Sequence, residues 1–239
     1  MIARLLLGGV LLLAAASHAA ERPTFSVDYV VHVRRDDPTH AHVRWRLAGI
    51  DEIERFRLVF RDGRATDVRG TGRLDWQGRT LHWTPGGPYA HLDYTIAIDK
   101  HRPAGGPRFD SHAGPGWVAT RARHLFPQIN VHFRPGADAA RSRARLFFQL
   151  PAGWKSIAVG EPLEPHVFSV DEPGKRLARP RGWFLLGDVT ARVRRIAGME
   201  VTVATVPGST LDVPRLLRFY ERTLPLLVPL LGPPPPRLL

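Results

Sequence analysis

From Phe25 onward the chain alternates apolar and polar residues with a period of two. Phe25, Val27, Tyr29, Val31 and Val33 form one such set, and Val43, Trp45 and Leu47 another. Phe56, Leu58 and Phe60 follow, then Leu92, Tyr94, Ile96 and Ile98. Ala144, Leu146, Phe148 and Leu150 make a fifth set, and Met199, Val201, Val203 and Thr205 a sixth. Period-two alternation puts one face of each strand in a core and the other in water. Turn-forming pairs separate the runs, among them Asp62-Gly63, Gln77-Gly78, Pro173-Gly174 and the stretch 85–88. Gln77-Gly78 predicts a hairpin in which Leu74 and Trp76 face Leu81 and Trp83. Ala197-Gly198 predicts a second, joining 190–196 to 199–206. About a dozen strands and no helix are expected before residue 211. The fold class that follows is all-β, an antiparallel β-sandwich in which two packed sheets bury the one-sided strands.

The pattern changes in the last 29 residues, 211–239. Asp212 and Pro214 have the chemistry of a helix start, a capping oxygen and a first-turn proline. Leu216, Leu217, Tyr220, Leu224 and Leu227 then make one apolar stripe, with Arg215, Arg218 and Arg222 off it. Pro225 and Pro229 are expected to kink or break this short C-terminal helix, and a Pro-rich tail follows. The stripe is a candidate face for a protein or peptide partner. Left uncovered, it would be an exposed apolar patch and an aggregation liability.

Residues 1–19 read as a signal peptide: Arg4, the uncharged apolar run Leu5–Ala16, then Ser17-His18-Ala19 as a cleavage site. The run is too short for a bilayer core of ~30 Å, so the mature chain is not expected to be an integral membrane protein. The organisation expected is a leader over 1–19, a β-sandwich domain over 20–208 and a junction segment over 209–239. The localisation expected is periplasmic or secreted. There is no cysteine, which removes disulfides, thiolate ligands and thiol nucleophiles.

The formal net charge is +12, from 34 Lys and Arg against 22 Asp and Glu. Such a balance would suit nucleic acid or anionic lipid. However, the arginines alternate along strands, as in Arg143 and Arg145 or Arg55, Arg57 and Arg61, which is the pattern of a solvated sheet face. No nucleic-acid partner is expected.

Candidate chemistry is sparse. Eleven histidines prompt a search for metal ligands. His40 and His42 share a strand face, His124 and His132 are separated by Pro127, and no His-Glu-x-x-His is present. Zinc needs three or four convergent ligands, so neither a metal nor another cofactor is expected. Asp110-Ser111-His112 holds the residue types of a catalytic triad, but three consecutive residues project in different directions. No catalytic residue is assigned. The Gly- and Pro-rich stretch His101–Gly116 reads as one long irregular loop, the best candidate for a contact loop, with Phe109, Asp110, His112 and Trp117 as its contact residues. Six tryptophans (45, 76, 83, 117, 154 and 183) favour core packing over sugar stacking.

Phe219-Tyr220-Glu221, followed by Leu231-Gly232-Pro233 and the proline run to Arg237-Leu238, resembles the junction after the first domain of the gluzincin aminopeptidases. Leu150-Pro151-Ala152-Gly153-Trp154 and Arg179-Pro180-Arg181-Gly182-Trp183-Phe184 with Gly187 resemble phrases of that family's β domain. The resemblance implies a β-sandwich that precedes a zinc domain. The family's zinc helix and general-base Glu would lie past residue 239, so no metal or catalytic residue carries over. Ala197-Gly198-Met199-Glu200 departs from the family's exopeptidase motif, with Val201 in place of Asn. The expectation is an exported, noncatalytic, truncated domain that supports or positions substrate for a catalytic domain. The alternative is a stand-alone secreted binding module for protein or glycan.

Overall fold

The computed structural model describes residues 24–60, 64–101, 109–172, 174–231 and 237–238. The side chains of residues 100, 101, 109, 110 and 231 are not among the described parts. The strands run β1 Phe25–Val33, β2 His40–Ala48, β3 Ile53–Val59, β4 Ala65–Gly70, β5 Arg73–Gln77, β6 Thr80–Thr84 and β7 Tyr89–Ala97. Next come β8 Lys100–His101, β9 Phe109–Gly114, β10 Trp117–Arg121, helix α1 Ala122–Leu125, β11 Gln128–Phe133 and β12 Ser142–Gln149. The chain continues with β13 Lys155–Ala158, β14 Glu161–Glu164, β15 Val167–Ser169, β16 Trp183–Gly187, β17 Thr190–Ile196 and β18 Met199–Thr205. Helix α2 Val213–Leu231 and β19 Arg237–Leu238 follow. The fold is all-β with one C-terminal helix of length. Strands exceed the expected dozen because short ones such as β8 and β19 carry no readable period.

A seven-stranded sheet, in the order β14-β15-β12-β1-β2-β7-β4, forms one layer. Two sheets face it, a four-stranded β11-β3-β6-β5 and a five-stranded β13-β16-β10-β9-β8. The pairing is antiparallel except that β1 runs parallel to β12 and β18 to β19. The alternating residues of β1, β2 and β7 are buried against Phe56, Leu58, Leu81, Trp83, Val118, Phe184 and Leu186 in one continuous core. Aromatic contacts stitch the layers: Tyr29 meets Phe126 at 5.3 Å, Phe60 meets Tyr94 at 5.3 Å and Phe148 meets Phe184 at 5.2 Å. Each buried side chain of this size is worth about 1.5–3 kcal/mol in transfer free energy. On the solvated face, cross-strand pairs such as Arg145–Asp28 at 2.9 Å take the arginines the alternation put there.

The Gln77-Gly78 hairpin pairs Leu74 with Trp83 and Trp76 with Leu81, as the pattern predicts. The Ala197-Gly198 hairpin pairs Ile196 with Met199. Both loop residues have positive φ, 50° at Ala197 and 83° at Gly198, the backbone of a two-residue turn that matches strand twist.

The β17–β18 hairpin does not join the main core. Ile196, Met199, Val201 and Val203 form a second, smaller core with Leu217 of α2, flanked by Leu216, Tyr220, Leu224 and Val228. Asp212 caps α2, its Oδ1 accepting from the Arg215 amide at 2.9 Å. Of the kink or break expected at the prolines, no break occurs: the helix runs 19 residues through Pro225 and Pro229. Each proline removes one amide donor, a cost of about 3 kcal/mol in an ordinary helix. Leu224 before the first proline and Val228 before the second are both anchored on the hairpin core, which holds the helix across the gap.

Two consequences can be measured. Burial raises the ionisation of the Tyr29 phenol far above its ordinary range, with the nearby Arg179 charge acting the other way. Burial raises Tyr94 likewise, opposed by the hydrogen bond from Trp45. A raised folded-state pKa contributes stability that is complete below the unfolded value of ~10 and lost as pH rises above it. In an alkaline absorbance titration two tyrosines should therefore ionise only as the fold opens, and Tyr94→Phe should remove one of them. Separately, Ala197→Asn should stabilise the chain by about 0.5–1 kcal/mol in urea unfolding, because Asn tolerates the left-handed conformation better than Ala.

Candidate functional site

Among its described residues, the expected contact loop is mostly strand. Lys100–His101 and Phe109–Gly114 are paired strands, and residues 102–108 lie outside the described residues. β9 turns tightly at Pro115-Gly116 into β10, pairing Gly114 with Trp117 and Ala113 with Val118. Gly114 is needed there because a Cβ would enter the Trp117 indole ring. The His112 ring meets the Trp117 ring edge-on at 5.4 Å, and its Nδ1 lies 3.1 Å from Asp99 Oδ1. Asp99 also accepts from the Ala113 amide at 2.7 Å. Ser111 points the other way, buried against Thr120 with the two hydroxyls 2.8 Å apart. Strand alternation thus sends Ser111 and His112 to opposite faces, so the two do not form a nucleophile–base pair. Phe109 and Asp110 belong to β9 by backbone, and their side chains lie outside the described residues.

Among the described residues no group of three or more His, Asp or Glu side chains could hold a metal ion. The nearest approach surrounds Asp93. His42 Nε2 lies 3.8 Å and His91 Nε2 3.7 Å from its two oxygens, while Arg44 Nε sits at 2.5 Å. A guanidinium on the carboxylate opposes a dication there, so the zinc implied by the family resemblance has no fitting site in this described part. His40 pairs with Asp37 at 3.0 Å instead of joining His42.

The tryptophans divide. Trp45, Trp83 and Trp154 are buried, whereas Trp76 and Trp183 are exposed. Trp183 lies on a cleft of about 560 Å³ between the end of β3, the start of β4, α1 and the segment 179–183. Its wall includes Phe60, Ile96, Phe126 and Pro180, and its rim carries Arg64, Arg121, Arg123, Arg179 and Arg181. Sequence reading passed over this cleft because the arginines come from three distant segments. The phrase Arg179-Pro180-Arg181-Gly182-Trp183 was its one visible trace.

The helix presents two apolar faces. The stripe noted in sequence is largely taken up inside the chain: Leu217 is buried, and Leu216, Tyr220 and Leu224 pack on the hairpin. Leu227 is not inside but 43% exposed. A different ridge faces solvent, with Phe219 57%, Leu226 71% and Leu230 79% exposed. The stripe expected as a partner face is thus mostly covered within the chain, and the exposed apolar residues of α2 lie beside it. No helix among the described residues is long and apolar enough to cross a membrane.

No protein-family model matches the sequence, and no curated protein matches it. Solved structures share the fold. An aminopeptidase N family protein from Idiomarina loihiensis superposes with a TM-score of 0.59 at 12% identity, covering 83% of this chain and 35% of that one. An M1 zinc metallopeptidase from Deinococcus radiodurans gives 0.48 at 14% identity, covering 83% and 52%. Yeast LTA4 hydrolase in complex with bestatin gives 0.49 at 11%, covering 89% and 37%. This chain thus spans between about a third and a half of the structures it matches. It has the fold of a part of the aminopeptidase N family protein. The two lower scores add nothing to that.

The ridge can be tested directly. The double change Leu226→Glu, Leu230→Glu should reduce self-association in sedimentation velocity while leaving helical ellipticity unchanged. Loss of ellipticity would show that these leucines belong to the core.

Proposed function

We propose that this chain is an exported, noncatalytic β domain of the gluzincin aminopeptidase type, supporting or positioning substrate for a zinc-bearing catalytic domain. The observation that carries the reading is the shared fold with the aminopeptidase N family structure over 83% of this chain. The long helix after the β layers adds support. Its inner face is anchored on the β17–β18 hairpin and its outer ridge stays apolar and exposed, the arrangement of an element that meets a further unit. The leader reading of residues 1–19, which lie outside the described residues, supports export to the periplasm or medium.

A second reading is a stand-alone binding module for protein or glycan. The covered stripe favours it, because Leu216, Leu217, Tyr220 and Leu224 need no partner to leave water.

Purified chain should hold substoichiometric zinc by atomic emission and show no hydrolysis of aminoacyl-anilides above blank. Chelator-sensitive hydrolysis by a zinc-loaded chain would overturn the noncatalytic reading. Sequencing past codon 239 separates the two readings: a His-Glu-x-x-His helix encoded downstream supports the first, and its absence the second.

A further inference from the structure

The cleft beside α1 concentrates positive charge on an apolar wall. Arg181 is engaged by Glu172 at 2.6 Å, and Arg64 donates to the Ala97 carbonyl at 2.6 Å. Arg121 and Arg179 differ from these. The Arg121 guanidinium lies 4.4 Å over the exposed Trp183 ring, and its buried Nε has no hydrogen-bond partner. Arg179, half-buried, makes no hydrogen bond or ion pair among the described residues. Its charge reaches the buried Tyr29 hydroxyl. No acidic residue appears among the described residues that line the cleft.

Partly desolvated guanidinium groups without acceptors are costly, and a ligand that brings oxyanions recovers that cost through charge-assisted bonds. The planar fork of arginine suits carboxylate or phosphate. The wall decides between them. A bare phosphate leaves the exposed Trp183 ring facing water, whereas a ligand with both acid groups and an apolar body uses ring and rim together. A volume of about 560 Å³ lies within the ~300–1,000 Å³ of small-ligand pockets and is small for a folded partner or a duplex.

We propose that this cleft binds a short acidic peptide, with carboxylates on Arg121 and Arg179 and an apolar side chain against the exposed Trp183 ring. The inference uses only the cleft's own residues and stands whether or not the chain serves a catalytic domain.

The experiment titrates the full chain with a blocked Glu-Leu-Glu tripeptide, read by calorimetry and by fluorescence of Trp183 beside Arg121. Saturable binding is expected, about tenfold weaker for the Gln-Leu-Gln analogue and weakened again by raised salt. Arg121→Gln and Arg179→Gln should each weaken binding by about fivefold or more, while Arg192→Gln on β17, an equal loss of charge, should leave it unchanged. Thermal melts accompany each variant. If Arg121→Gln unfolds the chain, the change at the half-buried Arg179, Arg179→Gln, decides alone. Equal binding of the Glu and Gln peptides, an equal loss in Arg192→Gln, or tighter binding of inorganic phosphate than of the tripeptide would overturn the proposal.

Discussion

Tyr94 sits on β7, one strand in from the edge of the seven-stranded sheet, fully buried, with its hydroxyl donating to the Leu125 carbonyl at 2.8 Å. The Trp45 indole N–H donates to the Tyr94 hydroxyl oxygen at 3.3 Å. Across the core Tyr29 donates to the Ala178 carbonyl at 3.0 Å. These bonds settle an awkward requirement. Large aromatics supply the apolar area that holds the layers together, but each buried polar tip needs a partner, and leaving one unmet costs about 1–3 kcal/mol. For Tyr29 and Tyr94 the chain meets the requirement with carbonyls from segments that belong to no long strand, whereas the buried Trp154 Nε1 has no partner among the described residues. Leu125 ends α1, and Ala178 precedes the Arg179–Trp183 segment. The same bonds that satisfy the core therefore place both walls of the cationic cleft.

Much of the main core was legible in sequence, because a half-buried antiparallel strand writes its burial as a period of two. Phe25 through Val33 and Val43 through Leu47 are read without ambiguity, and both hairpins follow from their turn residues. Other features left no local sign. The one-turn α1 is too short to show a period and is fixed by tertiary bonds. The parallel pairing of β1 with β12 joins residues 117 apart, such as Phe25 and Ser142. The continuation of α2 through two prolines reflects anchoring on the hairpin, a tertiary override of a strong local rule. The stretch at 101–116 was read as irregular because of its glycines, yet Gly114 is a packing site for Trp117 within a hairpin.

The candidate sites divide in the same way. The pairing of His112 with Asp99 depends on an acid from outside the stretch in which His112 was noticed. The cleft gathers arginines from residues 64, 121–123 and 179–181, a convergence that only the fold reveals. The exposed ridge of α2 was hidden behind the stripe beside it, since a helix with leucines on two faces gives no sign in sequence of which face the chain itself will cover.

The central claim is that the molecule has two cores, and that α2 belongs to the second by packing on β17–β18. Hydrogen–deuterium exchange on the isolated chain tests this most directly. The account predicts that amides of α2 between Leu217 and Leu224 and those of Val201 and Val203 in β18 are protected together and lose protection as one unit in rising denaturant. Exchange of the α2 amides at the rate of an unstructured peptide, while β18 stays protected, would contradict it.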